Sequence, residues 1–195
     1  MKNEVFAADT LLATEGTLAQ ATTWNIDNAH SNIKFSVSHL VISDVDGTFK
    51  SYNGTIQSSK PDFSDAQIDF AVDIDSINTD NEGRDQHLKS DDFFNAEKFP
   101  QMTFKGTSFK IVSGNKYELE GDLTIRGVTR KIKFDVKYGG TVKDPWGNIK
   151  AGFKVKGVIN RFDYNLKWNN LTELGGAVIG KEVEIVLNLE FGQQG

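Results

Sequence analysis

Residues 131 to 138 read Lys-Ile-Lys-Phe-Asp-Val-Lys-Tyr, with Ile132, Phe134, Val136 and Tyr138 alternating against Lys131, Lys133, Asp135 and Lys137. Successive side chains of a strand point to opposite faces, so this period of two describes a strand with one dry side and one wet side. The same pattern extends outward in both directions. Upstream, Tyr117, Leu119, Leu123 and Ile125 alternate with Glu118, Glu120, Asp122, Thr124 and Arg126; downstream, Ile149, Ala151, Phe153 and Val155 alternate with Lys150, Gly152, Lys154 and Lys156. Further out lie Ile33, Phe35 and Val37, then Ile68, Phe70, Val72 and Ile74, and finally Val183, Ile185, Leu187 and Leu189. One-sided strands exclude a doubly wound parallel sheet, whose buried strands read as continuous apolar runs. About eight such strands leave a sandwich or a closed barrel.

Turn chemistry is expected at Asp46-Gly47, Asn53-Gly54, Gly114-Asn115, Gly139-Gly140 and Asp144-Pro145-Trp146-Gly147, which implies antiparallel hairpins. One segment breaks the β pattern. Thr79 with Glu82 three residues on forms a capping box, and the spacing predicts a short helix to Ser90, either a lid over one barrel end or a helix merely packed there. A second irregular stretch, Asn165 to Gly176, carries Trp168.

The chain has 195 residues, enough for one domain with a substantial core rather than two domains. Its net charge of −5 disfavours nucleic acid as a partner, because no positive field would attract the phosphate backbone. With 0 Cys, thiolate catalysis, disulfides and cysteine metal sites are excluded. No apolar run approaches a membrane-spanning length, so a soluble protein without a transmembrane segment is expected. Residues 1–22 read as a flexible or weakly helical arm before a barrel domain over 23–192. That arm lacks the uninterrupted apolar core of a secretory leader, although Ala19-Gln20-Ala21 has the form of a cleavage site; the expectation is cytoplasmic, or periplasmic if a leader precedes it.

Gly175 to Lys181 fits the spacing of a phosphate-binding loop, but Glu182 stands where Ser or Thr must reach magnesium, and a strand follows instead of a helix. Asp73 to Arg84 resembles a calcium loop yet has Asn78 where glycine is needed and Arg84 where glutamate is needed. The histidines His30, His39 and His87 have no metal-ligand spacing, and no nucleophile motif occurs, so no catalytic residue, metal or cofactor is assigned. His39 shares the parity of Phe35 and Val37 and points to the dry side. On that side Gly106, Gly121, Ala151 and Gly157 lie among large residues. They read either as withdrawing volume from a ligand-sized lumen or as marking the bulges that close a barrel.

Several motifs together resemble the YceI-like, polyisoprenoid-binding family: Trp24-x-Ile26-Asp27-x-x-His30-Ser31, Arg84-Asp85-x-His87-Leu88, Gly121-Asp122-Leu123-Thr124-Ile125-Arg126-Gly127, Asp144-Pro145-Trp146-Gly147 and Asn160-Arg161-x-Asp163. The resemblance covers about Trp24 to Leu189. It implies an all-β fold, an extended, lipocalin-like, eight-stranded antiparallel β-barrel with a short helix near 80–90. Its lumen would hold an isoprenoid or similar amphiphile, frequently in a homodimer. The expected function is non-catalytic binding or carriage of a polyisoprenoid, quinone-like or fatty amphiphile. The expected ligand-binding residues are Phe35, Val37, Phe70, Val72, Phe104, Leu119, Phe134, Phe153 and Ile185, with His39, Arg84 and His87 as polar candidates. Two alternatives stand beside it: an enzyme acting on such a lipid through His39 or His87, and a filled barrel serving as an interaction module.

Overall fold

The computed structural model describes residues 20–170 and 178–194. The strand segments are β1 (Thr22–Ile26), β2 (Asn32–His39), β3 (Ser43–Phe49), β4 (Tyr52–Ser58), β5 (Gln67–Asp73), β6 (Ile77–Asn78), β7 (Gln101–Ser113), β8 (Lys116–Ile125), β9 (Val128–Lys143), β10 (Ile149–Asn160) and β11 (Ile179–Gln193). One helix, α1 (Glu82–Lys89), lies between β6 and β7.

Every strand pairs antiparallel with its neighbour, and the order β1-β4-β5-β7-β8-β9-β10-β11 closes through the pairing of β1 with β11. The result is an eight-stranded barrel, and closure removes the open edges that a sandwich would leave. Three staves are each broken in two. β2 continues β1 along β11, β3 precedes β4 alongside them, and β6 continues β5 beyond the 3-10 turn Ile74–Ser76. At the first break the Ser31 hydroxyl accepts a hydrogen bond from the Glu190 amide at 2.9 Å, standing in for a missing backbone partner.

The turns at Gly114-Asn115 and Asp144 to Gly147 form as expected; Asp144 Oδ1 accepts from the amides of Trp146 and Asn148, and Gly147 has φ 95°. Three expected turns do not form. Asp46-Gly47 and Asn53-Gly54 lie inside β3 and β4, and Gly139-Gly140 lies inside β9 opposite the register shift at Gly152/Phe153. The β2–β3 turn is instead Leu40–Ile42, and Arg126-Gly127 joins β8 to β9 with both φ positive, 48° and 72°, as a tight two-residue hairpin requires.

The glycines inside strands have another use. A Cβ on Gly47 would fall 2.2 Å from Phe35 Cζ, one on Gly54 2.5 Å from Phe70 Cδ2, one on Gly121 2.3 Å from Phe104 Cζ, and one on Gly157 2.3 Å from Phe134 Cδ1. Each glycine is a seat for an aromatic ring of a neighbouring strand. This corrects the expectation that Gly121 and Gly157 withdraw volume from the lumen directly. Their space is filled by rings that lie along the wall instead of standing into the bore. Gly106 follows the bulge reading, at a register shift in the β7–β8 ladder.

The helix also starts later than the capping-box reading placed it. Asn81 is the N-cap, accepting from the Arg84 amide at 2.9 Å. Thr79 is buried and committed elsewhere: its amide and hydroxyl donate to Asp85 Oδ1 at 2.9 and 2.6 Å. The expected N-terminal arm falls almost wholly on residues 1–19, outside the described residues, as do 171–177 of the irregular stretch. The tail of the phosphate-loop spacing, Ile179 to Lys181, opens strand β11.

Candidate functional site: an apolar bore plugged at one end

The β4–β5 loop, the β7–β8 and β9–β10 hairpins and the start of β1 meet at one end of the barrel. That end is stoppered by Phe63, which is 2% exposed and whose ring lies 5.2 Å from Trp24, 5.6 Å from Tyr138 and 5.3 Å from Phe153. Phe63 adopts φ 59°, an unusual value for an aromatic residue. Asp65 ties the loop down, accepting from the Ser58 and Ser59 hydroxyls and from the Ser59 amide at 3.0 Å. Those donors hold its carboxyl well below the usual carboxylate range. Tyr117 adds a hydroxyl bond to the Asp62 carbonyl at 2.9 Å.

Above this stopper runs a cavity of about 570 Å³, within the size range of small-molecule sites. Its walls are aromatic and aliphatic. Every residue expected at the site borders it: Phe35, Val37 and His39 from β2, Phe70 and Val72 from β5, Phe104 from β7, Leu119 from β8, Phe134 from β9, Phe153 from β10, Ile185 from β11, and Arg84 and His87 from α1.

Polar groups collect at the opposite end, where α1, the β2–β3 hairpin and the β10–β11 connection meet. Arg84 is held by Thr79, donating from Nε to Oγ1 and from Nη2 to the carbonyl, both at 2.7 Å. His87 Nε2 lies 2.8 Å from Asp92 Oδ2, and its ring packs edge-on against Phe93 at 5.1 Å and Trp168 at 5.0 Å. These three rings join the helix to the β10–β11 connection across the mouth.

Phe63, Phe93, Arg161 and Trp168 also line the cavity and were not among the expected site residues. Arg161 is 3% exposed, yet its guanidinium donates to backbone carbonyls: Nε to Gly180 at 2.8 Å, Nη1 to Leu166 at 2.5 Å and Trp168 at 2.8 Å, and Nη2 to Ile179 at 3.2 Å. Burial pulls its pKa down, though an arginine remains charged. It fixes the segment that carries Trp168 onto β11. A lone Phe within the turn-rich run Ser58 to Asp65 was the available signal for the stopper; nothing in the spacing distinguishes Arg161 from a surface arginine.

A second polar cluster lies at the break in the first stave. Asp27, His30 and Glu190 bring their ligand atoms within 4.8 Å of one another, but Lys150 sets its own ammonium among them, 2.6 Å from Asp27 Oδ2 and 3.4 Å from Glu190 Oε1. Lys150 and His30 hold the Asp27 carboxyl down at about 2. The cluster is thus a closed ion network clamping β1, β10 and β11.

The sequence pattern of the YceI-like domain matches residues 24–191, the span of this barrel. The chain belongs to the YceI-like family. The UPF0312 protein SA2479 of Staphylococcus aureus strain N315 is 39% identical over 171 residues, covering 87% of this chain and 97% of that one. Among solved structures, the Campylobacter jejuni YCEI protein matches with TM-score 0.70 and 28% identity over 99% of this chain and 100% of its own. Burkholderia cenocepacia BcnA matches with TM-score 0.74 over 85% of this chain and 98% of its own; at 20% identity it shows the shared fold. So does a polyisoprenoid binding domain from Saccharophagus degradans, with TM-score 0.65 and 17% identity over 88% and 98%. Within this YceI-like barrel the motif residues divide by task. Asp27 and His30 clamp a stave, Arg84 and Arg161 brace the mouth, and Gly121 seats a ring.

Proposed function

We propose that this YceI-like chain is a non-catalytic binding and carrier protein that encloses a polyisoprenoid, quinone-like or other long-chain amphiphile in the bore. The observation that carries the reading is the cavity of about 570 Å³, walled by hydrocarbon, with its polar groups at the end away from the stopper. Each buried methylene contributes about 0.8 kcal/mol, so a short prenyl or acyl chain supplies micromolar affinity after the costs of association. A polar head stays at the mouth, where Arg84 and His87 can meet it and where its desolvation is least costly. The polyisoprenoid binding domain of Saccharophagus degradans, a structure of the same fold, supports this choice of ligand class.

Catalysis is the weaker reading because the two histidines bordering the bore, His39 on β2 and His87 on α1, sit on separate elements in a wall that is otherwise mostly apolar. His87 is engaged with Asp92, and its ring is packed between Phe93 and Trp168. Native mass spectrometry of the purified full chain, followed by organic extraction, tests the proposal. Recovery of a long-chain lipid at about one per barrel is the expected result. Failure to acquire any prenyl or acyl lipid, even after incubation with a polyprenol and a fatty acid, overturns it.

A further inference from the structure

The β2–β3 hairpin turns at Leu40, Val41 and Ile42, which are 38%, 82% and 84% exposed. Three consecutive aliphatic side chains held in water at one tip are costly, and the backbone adds to the cost. Leu40 and Val41 adopt φ 53° and 64°, a region that bulky and, above all, β-branched residues rarely enter. The tip is nevertheless anchored: the Leu40 amide donates to the Val178 carbonyl at 2.9 Å, and the Ile42 amide to the His39 carbonyl at 3.2 Å. Its position is at the mouth, since His39 and Val45 on either side of the turn both border the cavity. Trp146 is equally exposed, at 84%, but it lies on the β9–β10 hairpin at the stoppered end.

We infer that Leu40, Val41 and Ile42 form a membrane-docking tip that seats the open mouth of the barrel on an uncharged bilayer surface. The inference rests on the lumen reading above and adds the surface from which cargo enters. A bilayer is the occupant the geometry favours over a second copy. A turn of three residues offers far less than the roughly 800 Å² per partner of a standard protein interface, whereas a lipid surface needs no complementary shape. Charge on the hairpin points to uncharged lipid: between Phe35 and Phe49 there is no lysine or arginine, and the exposed Asp44 and Asp46 beside the tip offset the exposed Lys181 that β11 places near its pairing with His39. The placement lets an apolar chain pass from bilayer to bore without crossing water.

The test is sedimentation of the full chain with phosphatidylcholine vesicles, comparing the native protein, the double variant Val41→Asp with Ile42→Asp, and the single variant Val41→Gly. The native chain is expected to partition onto the vesicles. The double variant should lose at least tenfold in partitioning, while keeping its circular dichroism spectrum and its binding of N-phenyl-1-naphthylamine in free solution. Val41→Gly should melt at a higher temperature, because glycine relieves the positive φ, and still partition several-fold less than the native chain. No partitioning of the native chain, or equal partitioning of the double variant, overturns the inference, as does a double variant whose only change is from dimer to monomer in analytical ultracentrifugation. Loss of naphthylamine binding by the native chain would instead count against the lumen reading, so the two failures are distinguishable.

Discussion

The ring of Phe134 on β9 lies across Gly157 on β10, so close that a Cβ on the glycine would fall 2.3 Å from Phe134 Cδ1. Phe35 on Gly47, Phe70 on Gly54 and Phe104 on Gly121 repeat the arrangement around the barrel. A phenyl ring laid flat on a wall takes up its thickness of the bore, whereas one pointing at the axis takes up its length. Large aromatic residues and a hollow lumen therefore coexist because the neighbouring strand supplies a glycine at each seat.

Gly157→Ala is expected to lift Phe134 off the wall and into the cavity. The adjustment should cost about 1–3 kcal/mol, the usual range for overpacking. Thermal unfolding and titration with a fluorescent fatty acid check both parts: a lower melting temperature together with weaker binding of long chains. An unchanged affinity would show that the ring's seat does not govern the bore.

Phe63→Ala should remove the stopper. The side chain is 2% exposed and surrounded by Trp24, Tyr138 and Phe153, so truncation is expected to cost about 3–5 kcal/mol. Urea unfolding measures that loss. If the chain still folds, the barrel becomes open at both ends and should accept chains longer than the native cavity holds, which a series of acyl lengths reveals as a shifted optimum.

Strands β2, β5 and β8 to β11 were legible because period-two alternation runs through them, and the short helix because it interrupts that period; β3 and β4 were crossed by expected turns, and in β7 the register shift between Gly106 and Ser108 breaks the alternation. The turns were less so. Asp46-Gly47 and Asn53-Gly54 carry the residues of a tight turn, but their glycines are required where Phe35 and Phe70 cross to the next strand. That demand comes from a partner strand and leaves no local mark. The inward residues of the site followed from parity alone. Arg161 did not, since its role depends on four carbonyls that only the closed barrel gathers around one guanidinium.

Acid should weaken the stave clamp. The Asp27 carboxyl is held at about 2 by Lys150, against an unfolded value near 3.8. A depressed folded pKa contributes stability that is fully present above the unfolded value and is lost as pH falls through the folded one. The clamp should therefore contribute about 2 kcal/mol at pH 7, with the loss falling between roughly pH 5 and pH 2. Lys150→Met removes the partner, and its stability deficit relative to the native chain should shrink over that interval. Urea unfolding at stepped pH measures this, and a deficit independent of pH would remove Asp27–Lys150 from the account.

Arg161→Lys should separate folding from gating. An ammonium cannot reproduce the fork that serves Gly180, Leu166, Trp168 and Ile179, so some of these carbonyls lose their partner, at about 1–3 kcal/mol for each group left buried. The bond to the Trp168 carbonyl also holds the indole against His87 and Phe93 at the mouth. Trp168→Ala removes the same ring contact without touching the buried arginine. If this aromatic contact is what retains cargo, both variants should release a bound fluorescent lipid several-fold faster in stopped-flow exchange, while only Arg161→Lys loses substantial stability. Equal release rates in the native chain and Trp168→Ala would place the barrier to escape elsewhere in the barrel.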